Sequence, residues 1–398
     1  MGNTTLYEAK PQPAYWGGVY AMTLCVFALV ASEFMPVSLL TPIAADLSVT
    51  EGLAGRGIAI SGAFAVLTSL SISTLAGTMN RKTLLLGLTA LMAISGACVA
   101  LAQSYLIYMT GRALLGVVIG GFWSMSAATA IRLVPAQQVP RALAVFNGGN
   151  ALATVIAAPL GSYLGTIIGW RGAFFCLVPV ALIAMVWQWY SLPAMRTEAR
   201  AAGAGNVFSL FRSRTVALGL TACAMFFMGQ FTLFTYVRPF LETVTQVQVS
   251  MLSLILLVIG IAGFIGTVLI GRFLDGNGLY RTLIGIPFLM ALIAVMLMVF
   301  GVSTAAVAAL LGIWGLVATA APVGWWSWVA HTFKENAEAG GGLMVAVVQC
   351  AIAFGSTVGG LLFDHSGYQS TFMASAAMLI ISALLTLLTL RADMSRTA

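Results

Sequence analysis

Apolar runs of about 20 residues, the length a helix needs to cross the hydrocarbon core of a bilayer, repeat along almost the whole chain. Short polar or glycine-bearing breaks part them. The pattern predicts helices at 16–41, 56–76, 83–102, 105–131, 142–168 and 172–192, then at 216–241, 250–271, 282–301, 305–330, 340–363 and 371–390. No formal charge lies between Arg281 and Lys334, a stretch too long for one crossing, and Gly301-Val302-Ser303-Thr304 supplies the turn that divides it. Gln103-Ser104 divides the third and fourth helices in the same way. One longer polar stretch separates the two sets of six. The expected fold is an all-α membrane protein of twelve transmembrane helices in two pseudo-symmetric six-helix bundles. Residues 1–192 form the first bundle, 193–215 a cytoplasmic linker and 216–398 the second bundle.

Composition agrees. Of 398 residues, 7% are charged and 60% hydrophobic, against roughly a quarter charged in soluble domains. Lipid is therefore the solvent for most of the chain, and no stretch is long enough for a separate soluble catalytic domain. The net charge of +7 could suggest nucleic acid, but its distribution does not. With both termini in the cytoplasm, the loop-borne lysines and arginines face inward, from Lys10, Arg81 and Lys82 through Arg391 and Arg396, while only Arg56 and Arg171 face outward. That is the positive-inside bias of a multi-pass protein, and it needs no nucleic-acid partner. Trp187, Trp189 and Tyr190 suit an inner interfacial belt. The five cysteines fall in apolar spans without a CxxC pair, so they read as small hydrophobes, with neither a metal site nor a disulfide framework. No basic stretch or small-residue cleavage site opens the chain, so the first helix is expected to act as an uncleaved insertion signal. Leu6 stands where a myristoylation motif wants Ser or Thr.

The two sets of six repeat each other. Gly169-Trp170 with Phe174 returns as Gly367-Tyr368 with Phe372, Gly161 returns as Gly359, and Trp123-Ser124 returns as Trp326-Ser327. Asn80-Arg81-Lys82 corresponds to the Gly271…Asp275…Gly278…Arg281 stretch. Two such halves are the plan of transporters that rock about a midplane site. Glu33-Phe34-Met35-Pro36-Val37-Ser38-Leu39-Leu40, Gly111-Arg112…Gly116, Ala158-Pro159-Leu160-Gly161, Gly169-Trp170-Arg171 and Phe234-Thr235-Tyr236-Val237-Arg238-Pro239-Phe240 together resemble the major facilitator superfamily, in its proton-coupled drug and metabolite efflux branch. The resemblance covers essentially the whole chain. Within that branch the chain looks most like bacterial purine ribonucleoside efflux pumps, through Gly120-Gly121-Phe122-Trp123-Ser124-Met125-Ser126-Ala127, Arg132-Leu133-Val134-Pro135 and Pro322-Val323-Gly324-Trp325. Sugar efflux transporters share the first-helix and seventh-helix patterns.

The resemblance implies the major facilitator fold and alternating access. It also implies proton-coupled antiport of neutral purine ribonucleosides such as inosine and guanosine, in a bacterial cytoplasmic (inner) membrane. The proton gradient takes the place of a cofactor, and the protein is expected to be monomeric. Two departures stand out. Asn80 replaces the acid that the family carries before its loop arginine, whereas the second copy keeps Asp275 and Gly278. Asn80, Arg81, Lys82, Asp275 and Arg281 are thus the expected conformational loops, with the second copy better equipped. Ala157-Ala158 stands where a glycine usually precedes the fifth-helix proline.

Glu33 is the one acid well inside a predicted span. A charge there costs roughly 2.5–3.5 kcal/mol, so it needs a partner, water or a proton. Counting ~1.5 Å per residue puts Glu33 and Arg112 at similar depth. They are expected to share one polar pocket, with Glu33 exchanging protons: burial favours its neutral form, and a nearby arginine its charged form. A fixed ion pair is the alternative. Arg112, Gly116, Gly120 and Trp123 share one face of the fourth helix, the glycines for packing. A nucleoside needs an aromatic surface for its base and uncharged polar groups for its edges and hydroxyls. Trp123, Asn147, Asn150, Gln230, Tyr236, Arg238, Trp325 and Gln349 are the candidates. Any one of the polar groups could equally be interhelical glue. No catalytic cluster, metal-ligand set or phosphate-binding loop accompanies them, so an enzyme is not expected. A sugar or multidrug antiporter, or a passive facilitator, remains the competing transport reading.

Overall fold

The computed structural model describes residues 14–77, 79–195, 213–274, 278–333 and 337–397. In the first half α1 spans Trp16–Asp46, α2 Glu51–Ala76, α3 Arg81–Ala100, α4 Tyr105–Arg132, α5 Val139–Ile167, α6 Gly169–Phe175 and α7 Leu177–Ser191. In the second, α8 spans Arg214–Phe234, α9 Val237–Thr243, α10 Val249–Leu269, α11 Gly278–Phe300, α12 Thr304–Thr332 and α13 Ala337–Thr397. These give twelve crossings. The pair α6 and α7 forms one, interrupted at Cys176, and α8 with α9 forms another, broken at Thr235-Tyr236. At about 1.5 Å per residue the 61 residues of α13 are far longer than one bilayer. Gly367, at φ 77° and ψ 179°, folds it into two crossings.

Gly169 has φ 73°, the same left-handed region, which glycine enters without a Cβ penalty. Each glycine begins a turn locked by the aromatic residues that follow: Trp170 meets Phe174 edge-on, and Tyr368 meets Phe372 edge-on. The other repeated pair has matching duties. Gly161 of α5 lets α1 approach at Met35 and Ser38, and Gly359 of α13 lets α8 approach at Thr232. The first helix runs on to Asp46, past its expected end at 41, because Pro42 is carried inside it.

Each half has its own apolar core. The second half's core centres on Phe226, Phe240, Trp314, Trp325 and Phe372, and also takes in Val37 and Ile58 of the first half. The first half divides into a cluster near the chain ends, around Met22, Leu88, Phe122 and Phe146, and one at the opposite end, around Leu39, Tyr108, Trp170 and Phe174. That second cluster also holds Tyr236 and Phe363 from the other half. The face bearing the start of α1 and the end of α13 is the proximal face, and the opposite one the distal face. The halves meet where α2 packs on α13 and α5 on α10. Gly260 of α10 lies against the Val155 backbone, and Ser253 donates to Ser162 at 3.0 Å. On the distal face Arg171 clamps the first half by pairing with Asp46 at 2.5 Å, donating to the Ala102 carbonyl and lying over the Trp170 ring.

Candidate functional site

Two prolines inside α1 organise the centre of the molecule. A proline at position i has no N–H for the carbonyl at i−4, so Pro36 strips Ser32 of its helical donor and Pro42 does the same to Ser38. An unpaired buried carbonyl is costly, and each is filled by a buried arginine. Arg112 of α4 donates Nη1 to Ser32 O at 2.6 Å, Nη2 to the Glu33 backbone carbonyl at 3.1 Å and to Ser61 Oγ at 3.1 Å, and Nε to Gly57 O at 3.0 Å. Arg238 of α9, in the other half, donates Nη1 to Ser38 O and Nε to Glu242 Oε1 at 2.8 Å. Glu33 and Arg112 thus lie together, but not as the fixed ion pair of the alternative reading. Arg112 holds the backbone of Glu33, not its carboxylate, because the proline-freed Ser32 carbonyl and the acceptors of Gly57 and Ser61 claim its planar fork.

The Glu33 carboxylate turns to the opposite half, where Gln349 Nε2 of α13 donates to its Oε1 at 3.3 Å. Glu33 is 5% exposed and Gln349 7%. Gln349 Oε1 is buried without a partner, and so is Gln230 Oε1 on α8. Phe34 stacks on Phe231 across the seam at 5.7 Å. Below them a cavity of 330 Å³ lies between α2, α8 and α13, lined by Val66, Leu70, Met228, Val347, Cys350 and Phe354 among others. Between described residues, the hydrogen bonds joining the halves run from the level of Glu33 to the distal face. The protein is closed distally.

The other expected site residues divide. Trp123 lies edge-on to Phe146 and is half-buried, Asn150 is half-buried, and Asn147 is exposed on α5. Trp325 stands elsewhere: it is packed in the second half's core against Trp328, so packing accounts for it. Tyr236 is buried in the distal seam. Its ring lies on Gly55, Gly359 and Gly360, and its hydroxyl donates to Ser356 O at 2.7 Å. Gly116 and Gly120 press against the α2 backbone at Ser61 and Ala65, as the packing reading has it. Asn80 caps α3 by accepting from Lys82 N–H at 3.0 Å, and it accepts from Met195 N–H at 3.0 Å. Arg81 N–H donates to Met195 O at 3.0 Å, and Arg281 is exposed at the start of α11. Asp275, Lys10, Lys334 and most of the expected linker lie outside the described residues. Sequence reasoning passed over Ser32, Ser38, Ser61, Glu242 and Asp364. The two proline i−4 positions were the available signal for Ser32 and Ser38.

A family model described as Major Facilitator Superfamily matches residues 22–347. A Pseudomonas aeruginosa protein named transcription regulatory protein OpdE is 67% identical to the chain, over 97% of each. The purine ribonucleoside efflux pump NepI of Salmonella typhimurium is 39% identical, over 93% of this chain and 92% of its own length. A solved bacterial homolog of the human lysosomal transporter Spinster, in an inward-facing and unoccupied conformation, is similar at TM-score 0.75 and 16% identity, covering 97% of this chain and 98% of that one. That last likeness shows the fold alone. The match spans most of the twelve-crossing architecture, and the chain belongs to the Major Facilitator Superfamily: it is a multi-pass membrane transporter, not an enzyme.

Proposed function

We propose that the chain is a proton-coupled secondary active exporter of purine ribonucleosides such as inosine and guanosine. It works by alternating access in a bacterial cytoplasmic membrane, with both termini and the proximal face in the cytoplasm. The observation that carries this reading is the Glu33 carboxylate, buried at the seam and bonded to a neutral amide from the opposite half. One amide suits both protonation states of the acid: Gln349 Nε2 donates to the carboxylate, and the unpaired Oε1 can accept from the protonated form. Proton exchange at Glu33 therefore acts on a contact between the two moving bodies. Arg112 holds the α1 backbone in place while it does so.

Substrate recognition follows from what is left unpaired. The Gln230 and Gln349 carbonyl oxygens are acceptors, so a ligand that satisfies them brings N–H or O–H donors, as purine edges and ribose hydroxyls do. The Phe34–Phe231 pair, Trp123 and the Asn147–Asn150 face of α5 supply aromatic surface and further amides. The proton gradient supplies the energy, with no cofactor, and one chain suffices. The NepI relative is named for purine ribonucleoside efflux.

Everted vesicles test it. Inosine is expected to accumulate against its gradient when a pH gradient is present and only to equilibrate when it is collapsed, with a sugar and a lipophilic cation as controls. Glu33→Gln is expected to abolish accumulation while the protein remains abundant. Accumulation of the sugar or cation in place of inosine overturns the substrate, and unchanged proton-driven uptake by Glu33→Gln overturns the coupling residue. A second reading comes from the OpdE relative, which is named for transcription. In a membrane transporter such an effect works through the internal concentration of the exported solute, so Glu33→Gln is expected to remove it together with transport.

A further inference from the structure

We propose that Asp364 is a gate residue of the distal seam: borne by the second half, its carboxylate caps the N-terminus of α2 in the first half and holds the distal face shut. Asp364 Oδ2 accepts from the Thr50 hydroxyl at 2.6 Å, and Oδ1 accepts from Gly52 N–H at 3.0 Å. Thr50 is itself the N-cap of α2, accepting from Leu53 N–H at 3.1 Å. A cap normally comes from the residue that immediately precedes the helix. Here part of it comes from the body that must move away when the distal face opens. The charge faces the positive end of a 26-residue helix dipole, with Glu51 in the same first turn and Arg56 one turn on.

The approach is made possible by glycine on both sides. A Cβ on Gly52 would strike the Asp364 carboxylate and come within 2.6 Å of the Gly360 carbonyl, and a Cβ on Gly360 would come within 2.8 Å of the Gly52 Cα. Directly beneath, the Tyr236 hydroxyl lies against Gly55 and Gly360. Latch, glycine contact and tyrosine plug therefore form one stack, and it parts only when the halves separate. Applying the 198-residue offset of the repeat places Thr166 where Asp364 stands. The latch is thus a property of one seam and has no acidic twin.

Hydrogen–deuterium exchange on the full-length protein in lipid nanodiscs tests this without substrate or proton gradient, so its outcome is independent of the transport reading. Asp364→Asn is expected to raise the distal-open population about two- to fivefold, the range for a charge at a helix end. Gly52→Ala, which keeps the charge but wedges the contact, is expected to act in the same direction. The signature is faster exchange at 50–56 and 359–366 together with slower exchange at the proximal stretches 79–84 and 270–274. Asp46→Asn removes another distal carboxylate, one paired within its own half, and is expected to leave both regions unchanged. Faster exchange confined to the first turn of α2, with the proximal stretches unaltered, makes Asp364 a simple cap and overturns the proposal. So does no change in either variant, or an equal response to Asp46→Asn.

Discussion

Helix α1 uses the same chemistry twice, about one and two-thirds turns apart, for opposite purposes. At Pro36 the freed Ser32 carbonyl is taken by Arg112, which belongs to the same half; at Pro42 the freed Ser38 carbonyl is taken by Arg238, which belongs to the other. The first joint can persist through a transport cycle. The second must break whenever the distal face opens, and breaking it leaves the Ser38 carbonyl in search of a partner while Arg238 keeps Glu242. A proline-freed carbonyl is thus a permanent brace or a releasable clasp according to which body supplies the donor.

The comparison can be broken most forcefully at Arg112. Arg112→Ala orphans the buried Ser32 carbonyl, which costs about 1–3 kcal/mol when left unpaired, and removes charge-assisted bonds to Glu33 O, Gly57 O and Ser61 Oγ as well. A loss of about 3 kcal/mol or more in stability is expected, measured as early thermal unfolding in detergent. Arg112→Lys is expected to rescue little, since an ammonium cannot span the forked set of acceptors. Arg238→Ala comes next. Charge-assisted bonds contribute about 1.5–3 kcal/mol, so the distal-open population is expected to rise roughly ten- to a hundredfold. Exchange rates at 38–42 and 236–242 should report this while global unfolding shifts much less. If Arg238→Ala instead destabilises the whole protein as Arg112→Ala does, the distinction between brace and clasp fails. The smallest effect is expected from Pro42→Ala. It gives Ser38 a donor within its own helix, so α1 becomes stiffer and the clasp weakens by about 1 kcal/mol, with the same exchange signature at lower amplitude.

Much of the architecture was legible from the chain alone. Apolar run length set the twelve crossings, and the Gly169 and Gly367 pair marked equivalent turns that the structure shows at nearly equal φ. Periodicity is a local signal, and these are local features. The break at Thr235-Tyr236 was legible only as a bend near Pro239, whose missing N–H leaves the Thr235 carbonyl without its i−4 donor; that Tyr236 there fills a glycine cradle in other helices was not. At the site, the sequence marked Glu33, Arg112 and Gln349 as residues of interest but could not say which atoms meet. A fixed Glu33–Arg112 ion pair stood open as the alternative; the backbone vacancy that Pro36 leaves at Ser32 decided otherwise. Asp364 escaped notice because it lies at a span end, where an acid is unremarkable until the facing helix terminus is known.

Cys350 follows Gln349 on α13 and lines the apolar cavity on the proximal side of the Glu33 level. The protein therefore carries a built-in chemical clock beside its central contact. The rate at which a small maleimide alkylates that thiol would track how often the cavity is open, so the occupancy of each state could be timed in whole cells without adding a label site.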